Sequence, residues 1–183
     1  MNVVSNGNVL QGRTAVITGA SQGLGLEIAM QYVAAGASVV ICARVEGMLS
    51  KAANMLKRSA TNDQAIFHMV ANVAEPEAVD ALIDFAIDKM GRIDILVNNA
   101  GITQDSLMLR MKPEQWSKVI DVNLNGVFLV TRSVLKTMVK QRSGKIISIS
   151  SVVGFSGNPG QVNYSSTKAA LIGFTKSLAR EVG

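Results

Sequence analysis

The sequence has little cysteine, little proline and few aromatic residues. Cys42 is its only cysteine, so the chain can form no internal disulfide and has no thiol pair for a zinc site. Only 3 of the 183 residues are proline and 4% are aromatic, which argues against a proline-rich linker and leaves few platforms for stacking on nucleic-acid bases. No apolar run approaches the ~20 residues that a membrane-spanning helix needs.

Charge is spread unevenly along the chain. Residues 1–121 carry a net charge of −2 and residues 122–183 carry +7. The basic part is compatible with an anionic partner or substrate, and equally with solvated helix faces, but the wide spacing of its Lys and Arg residues argues against nucleic acid. Residues 1–12 have neither the basic start nor the apolar stretch of an export signal. We therefore expect a cytoplasmic protein without a membrane segment.

Apolar runs of strand length alternate with segments of helix length, which predicts an α/β protein whose parallel sheet is covered on both faces. No repeat, low-complexity tract or linker interrupts this pattern, so we expect a single domain over residues 1–183. Strands are predicted at Thr14–Thr18, Ser38–Ala43, Ala65–Val70, Ile93–Asn98 and Lys145–Ser150, with helices at Gly23–Ala35 and Pro76–Met90.

A glycine-rich turn, Thr18–Gly25, joins the first strand to the first helix. Glycines there let the backbone approach a pyrophosphate, whose charge the helix N-terminus stabilises. A simple tight connection is the alternative. The absence of a Lys-Ser or Lys-Thr pair after the last glycine argues against a phosphate-transferring P-loop. The residues expected to bind a dinucleotide here are Gly19, Ser21, Gln22, Gly23, Leu24 and Gly25.

The end of the second strand reads Ala43-Arg44. In a dinucleotide fold this position inspects the adenosine ribose, where an acidic residue selects a 2′-hydroxyl and an Arg pairs with a 2′-phosphate. Arg44 therefore favours NADPH/NADP⁺, unless it is only a solvated residue at a strand end.

Tyr164 and Lys168 lie four residues apart on a segment that we predict to be helical, and so share one face. An ammonium group beside a phenol favours the phenolate and makes the Tyr a usable proton donor. Such a pair alone is a weak signal. Ser151, which we place at the end of the fifth strand, could be brought near Tyr164 by the glycine-rich loop that follows it.

Together these motifs resemble the short-chain dehydrogenase/reductase superfamily. The resemblance covers residues 12–183 and rests on the glycine turn, on Asn98-Asn99-Ala100-Gly101, on Asn123 and Ser151, and on Tyr164 with Lys168. It implies a Rossmann-type, doubly wound parallel sheet in three α/β/α layers. Within the superfamily, residues 99–111, 151–154 and 177–181 are similar to the 3-oxoacyl-[acyl-carrier-protein] reductases of fatty-acid synthesis in bacteria and plastids.

The resemblance implies a role for each matching residue. Tyr164 would protonate a substrate carbonyl as NADPH delivers hydride, Ser151 would hold the carbonyl oxygen, and Lys168 would bind the nicotinamide ribose. Asn123 would help to hold a water that links Lys168 to solvent. Gln22 stands where relatives often have Arg, which shifts the 2′-phosphate contact towards Arg44. The further cofactor contacts implied are Asn72, Val73, Asn99, Ala100 and Gly101.

The resemblance also implies partners. Substrate would arrive on an acyl-carrier protein, for which Arg142 is a possible docking point, and helices around Val122–Lys140 and Asn163–Val182 would pair subunits into a homotetramer. A plastid location fits as well if a transit segment has been removed. The family pattern continues beyond residue 183, so we expect a chain truncated after the fifth strand and its following helix, with strand Lys145–Ser150 as an exposed edge.

Two alternatives stay open at this point. The chain could reduce another ketone, such as an acetoacetyl-CoA, a sugar or a steroid, or it could be a catalytically silent nucleotide-binding or interaction protein. A metal site is not expected, because Asp80, Asp84 and Asp88 recur along one helix as a solvated acidic face and His68 is the only histidine.

Overall fold

The computed structural model describes residues 8–183, which contain a five-stranded parallel sheet with the strand order β3-β2-β1-β4-β5. After β1 the chain builds outward through β2 and β3, and then crosses back to place β4 on the other side of β1. This reversal confirms the predicted doubly wound topology. The strands are β1 (Thr14–Thr18), β2 (Ser38–Ala43), β3 (Ile66–Val70), β4 (Ile95–Asn98) and β5 (Lys145–Ser148).

Helices cover the sheet and the loops at its carboxyl edge. A 3₁₀ turn spans Met108–Arg110, and a π-helical turn at Asp121–Asn125 joins two of the helices without a break. The helices are α1 (Gly23–Ala34), α2 (Glu46–Ser59), α3 (Pro76–Met90), α4 (Pro113–Ile120), α5 (Gly126–Gln141), α6 (Val153–Ser156) and α7 (Val162–Val182). None of them is long and apolar enough to cross a bilayer, over the residues that the structure describes.

Two apolar cores lie on opposite faces of the sheet, because successive side chains of a strand point to opposite sides. In β1, Ala15 and Ile17 pack with α1 and α2, whereas Val16 packs with α3 and α5. All five β1 residues are buried. The result is the predicted three-layer α/β/α arrangement, with β3 and β5 at the two edges of the sheet and Ile147 of β5 40% exposed.

Three strand ends differ from the sequence prediction, and at the first two a side chain bonds to the backbone outside the ladder. The Ser38 hydroxyl accepts the Ala65 N–H, so β3 begins at Ile66. The Gln141 amide holds both the N–H and the C=O of Ile93, so β4 begins at Ile95. The strand β5 ends at Ser148 rather than Ser150, which places Ser151 in the following loop and not at the strand end.

Asp94 joins β1 to β4 at the amino edge of the sheet. Its carboxylate is 4% exposed and accepts hydrogen bonds from the Thr14 N–H at 3.0 Å, from the Thr14 hydroxyl at 3.2 Å and from the Arg92 side chain. Burial by itself would raise the pKa of Asp94, but the hydrogen bonds and the charge of Arg92 outweigh it and lower that pKa below its ordinary value. The ionised carboxylate therefore stabilises the fold.

Replacing Asp94 by Ala should lower the free energy of unfolding at pH 7 by about 1–3 kcal/mol, because the Thr14 N–H loses its buried acceptor. The folded pKa lies below the unfolded value of about 3.9, so this contribution is present at higher pH and is lost as the pH falls through the folded pKa. Urea unfolding at pH 7 and pH 2.5 would measure both effects. The exposed Asp88→Ala is the control and should change stability by less than about 0.5 kcal/mol. A penalty for Asp94→Ala that stays equal at both pH values would contradict this role for the ionised carboxylate.

Candidate dinucleotide and catalytic site

The candidate site lies where β1 and β4 end side by side. The chain leaves β1 for helices on one face of the sheet, and the connection after β4 leads to α5 on the other face. Neighbouring loops that diverge in this way open a crevice at the carboxyl edge, which is where ligands bind in open α/β sheets.

The Thr18 hydroxyl fixes the two loops to each other. It accepts the backbone N–H groups of Asn99 and Ala100, each at 3.1 Å, and donates to the Val97 carbonyl at 3.3 Å. In return, the Asn99 amide donates to the carbonyls of Thr18 and Gly19 at 2.9 and 3.1 Å. The glycine turn and the loop after β4 are thus one hydrogen-bonded unit.

At two positions of the turn only glycine fits, because a Cβ atom would collide with neighbouring atoms. Gly19 has φ +67°, and a Cβ there would lie 2.7 Å from the Cα of Ala100. A Cβ on Gly25 would collide with the side-chain amide of Asn99 and lie 2.5 Å from the Gly19 carbonyl oxygen. The start of α1 therefore sits directly against both loops, and no side chain caps its free N–H groups. This leaves room and donors for an anion at the helix N-terminus.

A cleft of about 210 Å³ opens beside this turn and runs towards the ends of β2 and β3. Of the predicted cofactor residues, those that line it are Gly19, Ser21, Gln22, Arg44, Asn72, Val73, Ala100 and Gly101. The other residues expected to contact the cofactor are not part of the lining: Gly23, Leu24, Gly25, Asn99, Tyr164 and Lys168. The Asn99 side chain bonds the loop after β4 to the glycine turn, and Gly25 packs directly against it. Leu24 is 57% exposed.

The cleft also has lining residues that the sequence analysis missed. Val45 and Met48 come from the start of α2, and Val122 comes from the π-helical turn. No signal marked α2, because Val45 precedes it without a capping side chain. Cys42 lies in the same wall, and burial raises the pKa of its thiol to about 12, so that it stays neutral.

Arg44 and Asn72 both line the cleft, but only the Asn72 side chain already has hydrogen-bonding partners. Arg44 is exposed and forms no salt bridge with any residue in the range 8–183. The Asn72 side chain is already engaged: it donates to Glu75 at 2.7 Å and accepts the Ala74 N–H at 3.2 Å at the start of α3. Arg44 is therefore available to an anion, whereas the Asn72 amide first serves the turn before α3.

Tyr164 and Lys168 lie on one face of α7, as predicted, and the Lys168 Nζ is 5.5 Å from the centre of the Tyr164 ring. Lys168 is only 5% exposed and donates to the Ile149 carbonyl at 2.7 Å. Burial away from water lowers the pKa of its amine. The ring and a buried cation are thus held together beside the loop that follows β5.

Asn123 is completely buried in the π-helical turn. Its side-chain oxygen accepts the Ile102 N–H at 2.8 Å, and its NH₂ donates to the Ile102 carbonyl and to the Thr167 hydroxyl. Since both amide hydrogens are engaged, a water would have to be held through the backbone carbonyl or the remaining lone pair. A Cβ on Gly101 would lie 3.4 Å from the Asn123 Oδ1 and 3.7 Å from the Lys168 Nζ, so all three groups meet at the inner end of the cleft.

Ser151 lies on a loop that is packed against the same helix. Its hydroxyl accepts the Val153 N–H at 3.4 Å, and the neighbouring Ser150 hydroxyl donates to the Lys168 carbonyl at 2.7 Å. A Cβ on Gly154 would lie 2.9 Å from the backbone of Lys168 and Ala169, which shows how closely α6 approaches α7. No hydrogen bond joins Ser151 to Tyr164 directly among the described residues. No cluster of metal-ligating side chains occurs there either.

Comparison with known proteins gives consistent matches. The family model described as short chain dehydrogenase matches residues 13–183. A 3-oxoacyl-[acyl-carrier-protein] reductase of Synechocystis sp. is 50% identical over 173 residues, which are 94% of this chain and 69% of that protein. Proteins of the same name from Vibrio cholerae and Staphylococcus aureus are 44% and 45% identical, with 68% of each covered. By sequence, by fold and by these matches, the chain belongs to the short chain dehydrogenase family.

Proposed function

We propose that the protein reduces 3-oxoacyl thioesters to 3-hydroxyacyl thioesters with NADPH, in fatty-acid synthesis in the cytoplasm. The observation that carries the proposal is that Tyr164 lies beside the buried amine of Lys168, close behind Gly101, which lines the cleft next to the glycine-rich turn. The names of the relatives supply the substrate class.

The residues present fit a phosphorylated dinucleotide. The crowded glycines at positions 19 and 25 keep the start of α1 close to the loop after β4, and this uncapped helix start offers donors to a pyrophosphate. Arg44 has no carboxylate partner in the described chain and can pair with a 2′-phosphate. Ala100, Gly101 and Val122 would line the adenosine and ribose. When bound, NADPH supplies the hydride for the carbonyl carbon.

Residues of this chain donate the proton to the substrate carbonyl and replace it afterwards. Tyr164 donates its phenolic proton to the carbonyl oxygen, and the Lys168 ammonium stabilises the negative charge left on the phenolate. Ser151 holds the same oxygen through its hydroxyl. Asn123 fixes the backbone of Ile102 and the start of α7, and its carbonyl helps to hold the water that returns a proton by way of Lys168.

Two partner sites belong to this proposal. Arg142 is exposed and lies directly after the last residue of α5, with φ +51°, and we assign to it the docking of an acidic carrier protein. A homotetramer would use α5 and α7 as its contact helices. The exposed apolar residues Phe128 and Val139 on α5, 47% and 57% accessible, fit such a contact.

Titration with NADPH, followed by its oxidation with an acetoacetyl thioester, tests the proposal as a whole. Turnover supports the reductase. Binding without turnover on any 3-oxoacyl thioester would instead favour a silent nucleotide-binding protein.

Replacing Tyr164 by Phe removes the phenolic hydroxyl and keeps the ring, so turnover should fall by about 10²–10⁴-fold while the Kd for NADPH stays within about threefold. Steady-state kinetics and cofactor fluorescence measure the two quantities. Tyr32, the other tyrosine, lies on α1, packs against the core on that face of the sheet and does not line the cleft, so Tyr32→Phe is the matched control. Near-full activity of Tyr164→Phe would remove it from the mechanism.

Replacing Arg44 by Ala should weaken NADPH binding by about 10–100-fold, the value of a charged hydrogen bond, and leave NADH binding unchanged. The ratio of the two dissociation constants measures this selectivity. Arg58→Ala, an exposed change at the other end of α2, should leave the ratio unaltered. Equal weakening of both cofactors by Arg44→Ala would argue against a contact with the 2′-phosphate.

A further inference from the structure

Asn163 is a fully buried amide immediately before Tyr164, and all of its hydrogen-bonding donors are used. Its Oδ1 accepts the backbone N–H of Tyr164 at 2.8 Å. Its Nδ2 donates to the carbonyl of Gln104 at 2.9 Å and to that of Gln115 at 3.4 Å. One side chain therefore joins the first turn of α7 to the loop after β4 and to α4.

The Tyr164 N–H is one of the four donors that the start of a helix leaves without an intrahelical partner. Gln161, which precedes α7, provides no side-chain cap. Asn163 performs this task from within the first turn. The cap thus sits on the backbone of the residue that bears the proposed proton donor.

The loop at residues 102–106 is bonded to the start of α7 by further contacts of the same kind. The Ser106 N–H donates to the Gly160 carbonyl at 2.8 Å, and the Gln161 side chain donates to Asp105 at 2.9 Å. At the inner end, the Thr167 hydroxyl donates to the Tyr164 carbonyl at 2.7 Å and accepts from Asn123, which holds Ile102. Asn163 and Thr167 are both fully buried and both bond to the backbone of Tyr164. Asn163 differs in that its own side chain also reaches the carbonyls of Gln104 and Gln115.

We propose that Asn163 is a positioning residue that locks the first turn of α7, and with it the Tyr164 phenol, to the loop at residues 102–106. The inference rests on the proposed function only for its catalytic consequence. The mechanical coupling stands on the geometry. A misplacement of about 1 Å in a catalytic group can cost 10²-fold in rate, so this lock would act on turnover rather than on cofactor binding.

Two variants separate the parts of the lock. Asn163→Ala removes the cap and both donations, whereas Asn163→Asp keeps an acceptor for the Tyr164 N–H and loses the donations to Gln104 and Gln115. Hydrogen exchange followed by mass spectrometry should show at least tenfold faster exchange over residues 102–106 and 160–168 in Asn163→Ala. In Asn163→Asp the acceleration should be concentrated in residues 102–106.

Turnover with NADPH and an acetoacetyl thioester should fall by about 10–100-fold in Asn163→Ala, with the Kd for NADPH within about threefold of wild type. Asp94→Ala, which weakens the fold from the opposite edge of the sheet, is the control for general destabilisation and should retain turnover and local exchange at the site. Unchanged exchange in Asn163→Ala would overturn the inference, as would unchanged turnover in an active enzyme. If wild type itself does not oxidise NADPH, the proposed function fails, and the exchange result alone decides the role of Asn163.

Discussion

The site depends on the hydrogen bonds that the Thr18 hydroxyl and the Asn99 amide make across the gap between β1 and β4. Parallel strands are joined by ladder bonds only as far as they run, and the loops beyond them would otherwise be free to separate. Because the two loops are bonded to each other, the position of α1 on one side determines the position of Gly101 on the other. The crowding at Gly19 and Gly25 is a consequence of this closeness.

Buried amides, rather than ion pairs, organise the rest of the carboxyl edge. Asn98 donates to Thr131 and Ser148, Asn123 to Ile102 and Thr167, and Asn163 to Gln104 and Gln115. A neutral amide can donate and accept at once and costs less to bury than a charge. The one buried cation, among the described residues, is Lys168. The surroundings of Lys168 therefore fix geometry through neutral groups and add no second buried cation among the described residues.

The sequence predicted the parts of this architecture that depend on local chemistry. Alternating strand and helix patterns located all five strands, and the helix period placed Tyr164 and Lys168 on one face. It placed a helix between β2 and β3 without giving the bounds of α2, and it did not predict the π-helical turn or the early end of β5. The start of α2 has no capping side chain to mark it, and the backbone just after β5 is bonded to Lys168, which is distant in sequence. The sequence also did not predict that the Asn72 side chain bonds to Glu75, because this bond depends on the backbone turn before α3.

Helix α4, the π-helical turn at Asp121–Asn125 and α5 follow one another without a break. The turn therefore determines how the side chains of α5 are rotated about the helix axis relative to those of α4. With 3.6 residues per α-helical turn, removing a single residue there would rotate every side chain of α5 by about 100° relative to α4. Val130, Val134 and Met138 would leave the core, and the polar side of α5, with Arg132 and Lys136, would turn towards it. The length of this short stretch is consequently as constrained as its composition, and a deletion inside it would harm folding far more than a substitution.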